Sequence, residues 1–241
     1  MSAAPIMGGG APSASSAPPV WVLYRAMVGV ALVCGLFIVL VVELTRPVIA
    51  RNRAVALEAA ILDVLPGAMS SRTFIWSGDG FAPLADQEAE AGAEVVHAAW
   101  DADGELAGVA VEASSMGYQD TLVLLYGYSF ARDAIVGMRV LESRETPGLG
   151  DRIETDPVFR ANFEALDVSL TGEGAAARIA HPIVAVASGE KSEPWQIDGI
   201  TGATISSQAV ASALRASTEI WIARLAAAEE TFRAAGPGGA T

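Results

Sequence analysis

Four hydroxyl side chains fall within ten residues in Asp198-Gly199-Ile200-Thr201-Gly202-Ala203-Thr204-Ile205-Ser206-Ser207. A glycine-containing turn here runs into a segment with helical periodicity. The first amides of a helix lack partners within it, and its N-terminus carries partial positive charge, so this turn suits a phosphate. Gly202 allows the backbone to come close to such a group. The same residues also suit an ordinary helix start, with Ser206 or Ser207 as the N-cap. A second stretch, Glu145-Thr146-Pro147-Gly148-Leu149-Gly150-Asp151, directly follows a strand-like run. Pro147 and Gly148 form a turn, and Gly148 and Gly150 leave room for a planar ligand beside the backbone, although a plain surface turn has the same composition. A third, Ser115-Met116-Gly117-Tyr118-Gln119-Asp120, offers Tyr118 for stacking on a ring or for packing.

These stretches need a scaffold, and the chain has 241 residues to build it. That length fits one membrane segment and one domain. The composition is 52% hydrophobic and 18% charged, and the mean hydropathy is +0.40. Val20–Val42 accounts for much of this. As a helix it spans about 34 Å, enough for a bilayer core of about 30 Å. Trp21 and Tyr24 lie where an interfacial aromatic belt forms. The run is long for a signal peptide, and Glu43 and Arg46 crowd the Val48-Ile49-Ala50 site, so it reads as an uncleaved anchor in the lipid bilayer. Residues 1–19 and 233–241 read as disordered tails, 20–44 as the anchor, 45–66 as a connecting amphipathic helix, and 67–232 as the folded domain. Residues 67–92 read as irregular.

Strand alternation marks Glu94–Trp100, Leu106–Glu112, Thr121–Phe130 and Ile135–Leu141, joined as two hairpins. Asp156 N-caps a short helix begun by Pro157, and Arg178–Ala187 contains another strand. A long helix covers Ser206–Leu225, with Val210, Leu214, Ser217, Trp221 and Leu225 facing inward. The fold class is therefore α+β: one N-terminal transmembrane helix, then an antiparallel-sheet domain with flanking helices. The net charge of −13 excludes a nucleic-acid partner, because phosphate backbones call for clustered Lys and Arg. Cys34 is the single cysteine, so no intrachain disulfide forms. His97 and His181 lack ligand spacing, so no metal site is expected.

Together these residues resemble the G subunit of the Rnf electron-transport complex and, more distantly, the C subunit of the sodium-translocating NADH:quinone oxidoreductase. The likeness covers roughly residues 20–225. It is carried by Thr45–Ala50, Val64–Gly67, Gly117-Tyr118, Glu145–Asp151 and Asp198–Thr204. The resemblance implies covalent FMN on Thr204 through a phosphoester, installed by a separate flavin transferase that recognises Asp198 as part of its motif, and it implies that Asp198, Thr201, Gly202 and Ala203 belong to the cofactor-binding stretch. It implies that Glu145, Thr146, Gly148, Leu149 and Gly150 wall the flavin, with Gly117 and Tyr118 beside it. It also implies an electron-transfer subunit in a complex that couples ferredoxin and NAD redox chemistry to ion translocation, with other membrane subunits as partners. The family places the domain on the periplasmic side of the bacterial inner membrane. The arginines at 46, 51 and 53 argue for the cytoplasm by the positive-inside rule, and the family is followed. Three alternatives stand beside this reading. One is a relay in a quinone reductase-like complex. Another is a non-catalytic anchored interaction domain. The last is a hydrolase using Thr204 or a nearby serine with His181 as base, for which no nucleophile elbow exists.

Overall fold

A computed structural model describes residues 19–84, 92–172 and 174–237. The expected tails at 1–18 and 238–241 lie outside the described residues. The chain divides into a unit of residues 1–53 and a unit of residues 54–241. Helix α1 is Val20–Val64, so the expected anchor and connecting helix fall within one element. Pro47 lies inside it and deprives the Glu43 carbonyl of its usual donor. The side chains of residues 20–55 are all exposed, and an 18-residue window has a mean hydropathy of 2.8. A helical stretch that is apolar all round and buried nowhere calls for an apolar surrounding.

The second unit is built on a seven-stranded antiparallel sheet ordered β2-β1-β3-β4-β5-β6-β7. The strands are β1 Ser70–Trp76, β2 Phe81–Pro83, β3 Val95–Trp100, β4 Leu106–Met116, β5 Thr121–Ser129, β6 Ala134–Glu142 and β7 Leu166–Asp167. The four central strands are those that alternation marks. Strands β1 and β2 correct the reading of 67–92 as irregular. There Ser77 N–H donates to the Gly80 carbonyl at 3.0 Å, closing a hairpin through Gly78 at φ +96°. The glycines and aspartate that mask these strands in the sequence are the turn between them. Helices α2 Arg152–Thr155 and α3 Pro157–Ala161 follow. The Asp156 carboxylate caps α3, accepting from the Val158 and Phe159 amides at 3.0 and 3.2 Å. Strands β8 Leu170–Thr171 and β9 Arg178–Ile179 pair with each other, and β10 Val184–Val186 lies parallel to β11 Gln196–Asp198. The single strand expected over Arg178–Ala187 is thus two, separated around Pro182.

The chain closes with α4 Thr204–Ala227 and α5 Glu229–Ala234. Val210, Leu214, Ser217, Trp221 and Leu225 are buried, as their spacing requires, in the core that α4 shares with Val111, Leu124 and Tyr126. Tyr126 meets the Ser217 hydroxyl at 3.0 Å. Helix α5 corrects the expected loose tail from residue 233. Phe232 is fully buried, and the Ala235 carbonyl accepts from Arg72 at 3.0 Å. The other face of the sheet is covered by the end of α1, where Ala60, Ile61, Val64 and Leu65 pack on Ala99, Ala110, Leu125 and Val136. Gly127 and Gly137 are cross-strand partners beneath the Val64 carbonyl. A Cβ on either would lie 2.2 or 2.5 Å from that oxygen.

Strand alternation turns His97 to this second face, where it is only 5% exposed. Its Nδ1 lies 3.0 Å from Thr73 Oγ1, and its Nε2 has no partner. Burial lowers its pKa from 6.5 to about 4. The folded state therefore refuses a proton that the unfolded chain accepts below about pH 6.5, and stability falls as pH drops from there to about 4. The loss attributable to His97 is about 3 kcal/mol. Urea melts at pH 7 and pH 4 should show His97→Gln losing less stability than wild type between those two values. Equal losses would refute the assignment.

Candidate functional site

The three chemically suggestive stretches come together at one end of the sheet. The first is the turn between β4 and β5, held by Gly117 N–H to the Asp120 carbonyl at 2.9 Å. The second leaves β6 and turns back on itself. The amides of Leu149 and Gly150 donate to the Thr146 carbonyl at 3.1 and 3.0 Å, and Gly148 takes φ +78°. The third connects β11 to α4 through Gly202 at φ +86°, a conformation that L side chains adopt only with strain.

Glu145 joins them. The residue is buried, at 7% exposure. Oε1 accepts from Tyr118 N–H at 2.7 Å and from Gln119 N–H at 3.4 Å, while Oε2 accepts from the Ser206 hydroxyl at 2.5 Å. Gln119 adds a bond from its amide to Thr146 Oγ1 at 2.8 Å. Glycine is required around this carboxylate. A Cβ on Gly117 would sit 2.3 Å from Oε1, and one on Gly150 would sit 2.6 Å from Oε2 and 2.8 Å from Ser206 Oγ. The position a Cβ would take on Gly150 is therefore filled by Glu145 and Ser206, so glycine is needed there for packing. Gly148 has nothing within 4 Å of its Cβ position and serves the turn.

Beside this junction lies a cleft of about 490 Å³. Tyr118, Glu145, Thr146, Leu149, Gly150, Gly202, Ala203 and Thr204 all line it, joined by Ile205 and Ser206. Tyr118, Leu149 and Ile205 are large side chains left at least half exposed there. Thr204 opens α4 with its side chain exposed. Ala203, at the N-cap, supplies no side-chain bond. The expected serine caps are not made. Ser206 turns to Glu145, and the Ser207 hydroxyl donates to the Ala203 carbonyl and accepts from the Ile200 amide. The first amides of α4 are thus left without a side-chain cap.

Thr201 and Asp198 do not line this cleft. Thr201 faces a second cleft of about 290 Å³ on the other side of Thr204, with Ser188, Ser207 and Gln208. The Asp198 carboxylate accepts from Gly189 N–H at 2.6 Å. Its backbone N–H and C=O are both bonded by the buried Asn162 amide, at 2.9 and 3.1 Å. Lys191 Nζ reaches Asn162 Oδ1 at 3.1 Å, and burial lowers its pKa against the opposing pull of Asp198. Asp198 therefore braces the loop after β10 against α3. The His181 ring stacks on Trp195 at 3.9 Å, and neither serine hydroxyl of the first turn of α4 is bonded to it.

Sequence reasoning missed Ser206 and Gln119 as parts of the junction. The only sequence signal for Ser206 was its place on the first helical turn, which equally suited a cap. Glu145→Ala should leave the Tyr118 amide and the Ser206 hydroxyl without their acceptor, at about 1–3 kcal/mol each. A melting temperature lower by roughly 10 °C, with faster amide exchange confined first to the three segments, is expected. Uniform exchange across the sheet would contradict this junction.

The FMN-binding domain family matches residues 117–219, a span that contains Gly117–Asp120 of the first segment and the whole of the other two. The G subunit of the ion-translocating oxidoreductase complex of Methanosarcina acetivorans is 37% identical over 122 residues, covering 49% of this chain and 54% of that protein. The protein of the same name from Pseudomonas aeruginosa strain UCBPP-PA14 is 34% identical over 140 residues, covering 54% and 63%. This chain therefore spans between about half and two thirds of the length of these curated relatives. The crystal structure of Shewanella oneidensis NqrC superposes with a TM-score of 0.55 at 17% identity, over 77% of this chain and 100% of that one, which establishes a shared fold.

Proposed function

We infer, for a chain related to the G subunit of the ion-translocating oxidoreductase complexes and matching the FMN-binding domain family, that it is an FMN-carrying electron-transfer subunit with the cofactor esterified to Thr204. The observation that carries this reading is the position of Thr204. Its hydroxyl is exposed on the first turn of an uncapped helix, at the rim of a cleft that three separate segments build. The residues fit the group. Unpaired amides and the positive helix end suit a phosphate, and Gly202 keeps the approach free of a Cβ. Tyr118, Leu149 and Ile205 offer apolar surface to a ring. A cleft of about 490 Å³ lies within the range of small-molecule sites.

FMN supplies the redox chemistry when bound. The chain's own residues position it. The ester at Thr204 fixes one end, the turn of Thr146 and Leu149 walls the cleft, and Glu145 holds the walls together. Asp198 acts at a distance, keeping the loop after β10 in place behind the T-G-A-T turn. A flavin transferase installs the cofactor. The chain is a single-pass protein of the bacterial inner membrane with its FMN domain on the periplasmic side. It works beside other subunits that couple ferredoxin and NAD chemistry to ion movement.

The test is the intact mass of the full chain made in a host that has the transferase. A gain of one FMN less water, with flavin fluorescence in the denatured band, supports the reading. No gain would overturn it and leave an anchored interaction domain. The fold shared with NqrC favours one second reading, a relay in a quinone reductase-like complex. Identification of co-purifying subunits separates the two.

A further inference from the structure

Thr204 stands between two clefts, and a group tied to its hydroxyl can turn into either. Only the larger has a carboxylate in its wall. Resting on the FMN reading above, the geometry points to Glu145 as the positioning residue that fixes this cleft and, as a buried negative charge in its wall, holds the flavin's electron affinity down. Among the described residues, no cation comes within ion-pairing distance of Glu145. Its neighbour Arg144 turns instead to Asp120 at 2.8 Å. The charge is balanced only by hydrogen bonds, from Tyr118 N–H, from Gln119 N–H and from the Ser206 hydroxyl. A carboxylate on a residue this buried acts on its neighbours more strongly than one at a surface. An electron entering a ring in this cleft meets that carboxylate. In the smaller cleft, facing Val186, Ser188 and Gln208, it meets no acid.

The experiment is a spectroelectrochemical titration of the full-length, flavin-loaded protein in detergent, with loading checked by intact mass. Glu145→Gln keeps the shape and one carbonyl acceptor and removes the charge. Its flavin potential should rise by about 59 mV, a tenfold change in a one-electron equilibrium. Ser206→Ala keeps the charge and removes one donor, so the potential should move the opposite way, downward. Gln208→Glu places an acid in the smaller cleft and should leave the potential where it is. A purely structural role for Glu145 would lower the melting temperature without this pair of opposite shifts. A loaded Glu145→Gln protein with the wild-type potential overturns the inference, as does a downward shift in Gln208→Glu alone, which would assign the ring to the other cleft. Should Glu145→Gln fail to fold, Ser206→Ala decides: an unchanged potential there overturns the inference. A wild type that carries no flavin overturns both this inference and the FMN reading.

Discussion

Thr204→Val is expected to carry no covalent flavin, against full loading of the wild type in the same transferase-bearing host. The substitution removes the hydroxyl that would form the ester and keeps the branched shape. The side chain is exposed on the first turn of α4, so little else changes. Surface substitutions of this kind stay within about 0.5 kcal/mol, so the unloaded variant and unloaded wild type should melt within about 2 °C of each other. Thr204→Ser retains a hydroxyl and should retain part of the load. Thr201→Val is the internal control. Thr201 lies three residues earlier in the same glycine turn but faces the other cleft, so whatever flavin its variant carries should sit on Thr204. Electron transfer through the assembled complex should fall to background in Thr204→Val alone. Full loading of Thr204→Val, or flavin mapped to Thr201 in a peptide digest of the wild type, would move the attachment site.

The second large effect is on stability and lies far from the cleft. Gly127→Ala sets a methyl 2.2 Å from the Val64 carbonyl oxygen and 2.8 Å from Leu65 Cδ2. Its partner across the ladder, Gly137, would set one 2.5 Å from the same oxygen. The nearest obstacle to both is the Val64 backbone, so the helix end or the sheet must shift. Overpacking of this sort costs about 3 kcal/mol, which for a domain of this size lowers the melting temperature by roughly 6–12 °C. The two variants should combine to less than the sum of their effects, because one displacement of α1 relieves both. Gly80→Ala, with nothing within 4 Å and an ordinary φ, should change the melting temperature by no more than a degree or two. Additive losses would mean that the two glycines accommodate different things.

Much of this fold is legible in the sequence because the signals are long. The four central strands alternate over six or more residues each, and α4 repeats its buried stripe through five positions. Strands β1 and β2 are harder to see, because serine, arginine, glycine and proline dilute a short alternation. Helix α5 is hidden by alanine and glycine on its far side, and only the burial of Phe232 reveals why it forms. The site shows the same contrast. Each of its segments is recognisable by its own turn chemistry. Their joining is not, since it depends on a single carboxylate whose partners are 27 and 61 residues away. The separation of Asp198 from the cleft is equally invisible in a motif that runs continuously from Asp198 to Thr204.

The two ends of the main sheet are finished by its shortest strands, Phe81–Pro83 and Leu166–Asp167. An open edge is a template on which another chain can add strands, and proteins guard against this with brief edges and proline. Here one edge is three residues long and ends at Pro83, whose nitrogen carries no proton to donate, and the other is two residues long. The guard is local, since β7 pairs only with Ala134 and Ile135 of β6 and β2 only with Phe74–Trp76 of β1, so a strand added by another chain would have to find its place beside the longer strands rather than at these two brief ends.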